Sequence, residues 1–172
     1  AIVFRSLGEQ SIELPDELAK GSKIRRTNLT PVLKPLRGII ARSRGKAEIL
    51  SVIERHFAAG FGWEADERIA LLKGIAADVR RRPFIGAQKS VFGLVAEHPP
   101  ARANVEKTFQ AARNRATGRQ SSALRASAIE LLAYSTYKED GETLLKLLAP
   151  AQPRPVQLAA AQSLGQISDL RV

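Results

Sequence analysis

One helix-forming stretch occurs twice in this chain, and the duplication restricts the fold more than any other feature. Leu124-Arg-Ala-Ser-Ala-Ile-Glu-Leu-Leu-Ala133 aligns over Val156-Gln-Leu-Ala-Ala-Ala-Gln-Ser-Leu-Gly165, an offset of 32 residues from Leu124 to Val156. In that register Ala128 and Ile129 sit over Ala160 and Ala161, and Leu132 sits over Leu164. The interval has room for one helix, a turn and an antiparallel second helix, expected over Gly141 to Ala149 with Leu144, Leu145, Leu147 and Leu148, before Pro150, Pro153 and Pro155 break the chain. A unit of this size cannot bury its apolar side alone and has to stack on a neighbour, which is the signature of an α-solenoid.

Small residues make such stacking possible. Ala126, Ala128, Ala159 and Ala160 leave no bulk where neighbouring helices approach, while Leu132 and Leu164 fill the space between layers. Pro155 falls in the first turn of the second copy, where its missing N–H has no helical partner to lose.

The remaining segments read as helices separated by Gly or Pro. Residues 1–18 form an irregular N-terminal segment, and helical repeats are expected over 19–172, with the clearest copies at 122–149 and 154–172. Thr30-Pro31 is a helix start for Val32, Leu33, Leu36, Ile39 and Ile40. A second helix runs from Lys46 to a stop at Gly60 and Gly62, and a third from Asp66 to Arg80-Arg-Arg82. Phe84 to Glu97 is expected as a helix stopped by Pro99-Pro100, and Ala101 to Thr117 as another ended by Gly118. No pair of alternating apolar runs flanks a hairpin signal, so the class is all-α.

With 44% hydrophobic residues the 172-residue chain can bury a core, and its apolar runs are too short to span a bilayer. It holds no cysteine, which excludes disulfides, thiolate metal sites and attached haem within this stretch. Beginning at Ala1 without an initiator Met, it is expected to be a piece of a longer or processed protein.

The net charge of +10 makes a polyanion or an acidic partner worth considering. Between Ala19 and Ala47 there is no acid, and Lys23, Arg25, Arg26, Lys34, Arg37, Arg42, Arg44 and Lys46 form a candidate polyanion or partner surface. A solvated helix edge outweighs phosphate binding there, because the segment brings neither stacking aromatics nor a docking motif. Arg80-Arg-Arg82 is explained by the negative end of its own helix. Trp63, after the Gly-rich turn, is expected as a core anchor, with an exposed aromatic contact as the alternative.

Asp66-Glu-Arg-Ile-Ala-Leu-Leu-Lys-Gly-Ile75, Leu124 to Tyr134 and above all Leu147 to Asp169, with its Gln-Pro turn and Val-Gln-Leu-Ala-Ala run, carry a family resemblance. From Trp63 onward the chain resembles the HEAT-like region of large multidomain proteins of planctomycetes and related bacteria. In those proteins a dehydrogenase-like propeller is joined through helical repeats to a c-type cytochrome domain. The resemblance implies a HEAT/armadillo-like α-α superhelix in a periplasmic or cell-surface setting, with haem held by an adjacent domain; a cytoplasmic setting stays open. Lacking Cys-x-x-Cys-His, the chain itself takes over no haem ligand.

Constellations for catalysis are missing. His56 and His98 have no carboxylate at helical spacing suited to a metal, Asp66-Glu67 and Glu139-Asp140 read as helix-start residues, and Gly60-Phe-Gly62 lacks the spacing of a dinucleotide loop. The expectation is a non-catalytic repeat scaffold without its own cofactor. It would dock neighbouring domains or another protein, and a nucleic-acid binder with a basic concave surface is the alternative.

Overall fold

The computed structural model describes residues 45–58, 63–81 and 90–167, and every regular element among them is helical. In chain order these are α1 (Lys46–Phe57), α2 (Ala65–Arg81), α3 (Val91–Val95), α4 (Pro99–Thr117), α5 (Ser122–Leu132), α6 (Tyr137–Lys146) and α7 (Arg154–Gln166). The Thr30-Pro31 helix and the irregular segment 1–18 lie outside the described residues.

Apolar spacing explains which side of each helix is buried. In α1 the buried side chains are Ile49, Val52, Ile53, His56 and Phe57; in α2 they include Ile69, Leu72, Ile75, Ala76 and Val79. Both sets recur at three- and four-residue intervals, which puts them on one stripe. Several helix starts are closed by side chains. Glu67 accepts the N–H of Glu64 at 2.8 Å, Ser121 accepts that of Leu124 and Thr136 that of Glu139. Each satisfies a first-turn donor that has no helical partner.

Two boundaries differ from the sequence expectation. Pro99 and Pro100 begin α4 rather than ending the preceding helix, because proline at the first two helical positions costs no hydrogen bond and His98 serves as the cap residue. The second helix of the repeat starts at Tyr137, not Gly141, since Thr136 caps it and Glu139 and Asp140 fall inside its first turn. Of the expected helix from Phe84, the described part is Val91–Val95, capped by Ser90.

Helices α2, α5 and α7 lie side by side, with the closest packing between α5 and α7. Two polar contacts fix that pair as parallel. Arg125 at the start of α5 donates to Gln152, just before α7, at 2.7 Å. Ser163, late in α7, donates to the carbonyl of Ile129, late in α5, at 3.0 Å. The α2–α5 pair runs the same way, since Lys73 meets Glu130 and, farther along both helices, Arg80 donates to the Ala133 carbonyl at 2.9 Å. Behind this row α4 packs on α1, α2, α3 and α5, and α6 packs on α7. The core between them holds Phe109, Ile129, Leu131 and Leu132, and the Phe92 and Phe109 rings meet at 4.8 Å. Ala128, Ala159 and Ala160 are buried and Ala126 is half-buried against the core.

Helix α4 is fastened to both sides of the fold by two arginines two positions apart. Arg113 binds Asp140 of α6 and Arg115 binds Asp66 of α2, each through Nε to Oδ1 at 2.7 Å and Nη2 to Oδ2 at 3.0 Å. This fork-to-carboxylate geometry is the strong form of the ion pair. The Asp140 carboxylate raises the Arg113 pKa above the ordinary guanidinium range, against the opposing effect of burial and with help from Glu139. Asp66 and Asp140 therefore do more than start their helices.

Candidate functional site

Across the outer side of the α2–α5–α7 row runs an open groove of about 290 Å³. Its depth comes from the small residues Gly74, Ala77, Ala133 and Ser163, and its rim from Lys73, Glu130, Tyr134, Gln162 and Gln166. A Cβ placed on Gly74 would meet nothing within 4 Å, so that position opens directly into free space.

The rim is polar but internally neutral. Lys73 and Glu130 face each other at 2.6 Å across the gap between α2 and α5. Tyr134 is held in place by Arg80, whose guanidinium carbon lies 4.5 Å from the ring centroid. Arg80 thus does more than meet the negative end of its own helix, because it ties α2 to the end of α5 through both the Ala133 carbonyl and the Tyr134 ring. Ser163 is buried with its hydroxyl donated to Ile129, and so presents no nucleophile to the groove. What the rim offers is hydrogen bonding from the Gln162 and Gln166 amides and the Tyr134 phenol.

The repeat register underlies this arrangement. With the same 32-residue offset, Glu130 corresponds to Gln162 and Tyr134 to Gln166, so the two copies place polar residues in matching columns along one face. Sequence reasoning passed over these positions because it followed the apolar columns. The outward columns of the same alignment carried the signal.

The sequence-selected surface fares differently. Lys23, Arg25, Arg26, Lys34, Arg37, Arg42 and Arg44 lie outside the described residues, and Lys46 meets Glu97 at 3.3 Å. The described residues hold fifteen Lys or Arg against twelve Asp or Glu, which is +3 of the chain's +10. Several of those cations are engaged in pairs or carbonyl contacts. Trp63 is half-buried and packs against the core. His56 is buried on α1, while His98 caps α4 with its Nε2 4.0 Å from a Glu54 carboxylate oxygen, a contact between helices that local spacing does not reveal. Among the described residues no three His, Asp or Glu side chains gather where a metal ion could sit, and no helix is long and apolar enough to cross a membrane. No family model, no curated protein and no solved structure matches this chain.

Proposed function

We propose that this chain is a non-catalytic helical-repeat interaction module, a HEAT/armadillo-like α-α superhelix whose groove docks an extended segment of a protein partner or of a neighbouring domain. The observation that carries the reading is the parallel row of α2, α5 and α7 with register-equivalent polar residues lining one groove. Gln162 and Gln166 stand one helical turn apart, about 6 Å along the axis. That is close to the two-residue repeat of an extended chain, about 6.7 Å, so two side-chain amides can bond alternate peptide groups of one bound strand. The self-neutralised Lys73–Glu130 pair and the near-balanced charge of the described helices favour such a main-chain ligand over a polyphosphate backbone, which would need unpaired cations.

The test is selection of peptides from a displayed random library on the whole chain, followed by measurement on the Gly74→Trp and Gln162→Ala/Gln166→Ala variants. A Cβ at Gly74 meets nothing within 4 Å, so the side chain of Gly74→Trp starts in the open groove. Selected peptides are expected to lose at least tenfold in affinity for both variants, whose helical circular dichroism stays unchanged. Peptides that bind Gly74→Trp as tightly as the parent refute the groove. A duplex or single-stranded nucleic acid that binds with steep salt dependence while the library yields nothing moves the reading to the alternative.

A further inference from the structure

The 32-residue register also identifies a surface that is covered in one repeat copy and bare in the next. In the first copy Ile129, Leu132 and Ala133 are buried and Ala126, the equivalent of Leu158, is half-buried, and α7 packs alongside α5. The α7 equivalents of the three buried residues are Ala161, Leu164 and Gly165; Ala161 and Gly165 are exposed and Leu164 is half-buried. Leu158, one turn before Ala161, is 58% exposed, more than any other large apolar side chain among the described residues. Leu158, Ala161 and Gly165 fall within about 60° of one another around the helix, so they form one continuous stripe. Leu145 on the adjoining α6 and Leu148 just beyond its end are exposed. Three of the four large apolar side chains exposed among the described residues therefore lie on this last helix pair or in the turn between its helices.

We infer that this flank is where a second copy of the chain docks, α7 against α7 in antiparallel orientation about a two-fold axis. Three features of the flank select that occupant. After Arg154, α7 carries no ionisable side chain, so nothing in the helix repels its own copy. In an antiparallel pair the two Arg154 residues, each at a helix start, stand at opposite ends of the contact. Ala161 and Gly165 let two backbones approach closely, while Leu158 of each copy falls opposite Gly165 of the other, so a protrusion meets a recess twice. One helix pair per copy makes an interface at the small end of specific contacts, so the dimer exchanges with monomer as concentration changes.

Sedimentation velocity of the whole chain over a concentration series tests this. The parent is expected to move from monomer to dimer. Leu158→Glu alone and Gly165→Arg alone, although opposite in charge, both hold it monomeric with unchanged circular dichroism; Gly165 is exposed and a Cβ there meets nothing within 4 Å. Combining Leu158→Glu with Gly165→Arg in one chain sets opposite charges face to face only in the antiparallel arrangement, and dimer formation returns. A parent that stays monomeric throughout overturns the inference and leaves the flank to another protein. A dimer indifferent to either single change, or one that the combination fails to restore, overturns it equally.

Discussion

The two arginines of α4 make a controlled comparison of what burial does to an ion pair. Arg113–Asp140 and Arg115–Asp66 share one helix, one geometry and the same distances. Their arginines are equally accessible at 28%, but Asp140 has a side-chain exposure of 0% and Asp66 one of 27%. Replacing Arg113 by Met removes the cation that, among the described residues, is bonded to a carboxylate unable to reach water, and such a loss costs about 3–5 kcal/mol. Replacing Arg115 by Met leaves Asp66 able to rehydrate, and the loss falls to about 1 kcal/mol. In a chain of this length the first corresponds to a melting point lowered by roughly 10 °C and the second to one lowered by roughly 3 °C. Adding Asp140→Leu to Arg113→Met removes the stranded charge and recovers most of the loss. The sign with pH follows from the direction of the Arg113 shift. A raised pKa stabilises the fold at every pH below the ordinary arginine range, and that share is lost only as pH rises through the raised value. This arginine therefore adds no slope to stability near neutrality. Urea unfolding followed by circular dichroism gives all these differences. Equal costs for Arg113→Met and Arg115→Met refute the reasoning, because burial of the carboxylate is then not what separates the two sites.

Two glycines are expected to respond to alanine with opposite signs. A Cβ at Gly141 comes within 2.5 Å of the Tyr137 ring, so Gly141→Ala forces that ring aside and destabilises by about 1–3 kcal/mol, whereas Gly165→Ala enters open space on α7 and stabilises by up to about 1 kcal/mol through helix propensity; thermal unfolding of both checks the pair. Ser163→Ala removes the donor from the buried Ile129 carbonyl and is expected to cost about 1–2 kcal/mol, while Gln162→Ala beside it, exposed on the rim, leaves the unfolding midpoint unchanged.

Helical class and helix faces were legible because they depend on residues three and four apart. Ile49, Val52, Ile53 and Phe57 could be assigned to one face without knowing what that face touches. The parallel neighbourhood of α5 and α7 was legible for a related reason, since a repeated sequence repeats its packing surface. Proline was ambiguous at Pro99-Pro100 because a helix can end before it or begin with it, and local sequence does not say which side supplies the cap. The Arg113–Asp140 and Arg115–Asp66 pairs join residues 27 and 49 positions apart, and no periodicity reports contacts of that span. Charge counting misdirected attention for the same reason. It weighs Lys46, Lys73, Arg113 and Arg115 as available cations, although each faces a carboxylate.

The same register explains why a groove and a sticky flank coexist on one helix. Viewed down α7, Val156, Ala160 and Ser163 point to the core, Gln162 and Gln166 to the groove, and Leu158, Ala161 and Gly165 away from the stack. In the first copy the third set is Ala126, Ile129 and Ala133, of which Ile129 and Ala133 are buried and Ala126 half-buried beside α7. Each helix of the row thus needs a neighbour on one flank and keeps a separate polar face clear of it. Covering the α7 flank with a second copy would leave the groove open, so ligand docking and dimer formation are independent. A peptide selected on the groove should therefore bind Gly165→Arg and parent chains with the same affinity, and a tenfold difference between them would show that the two faces are one site.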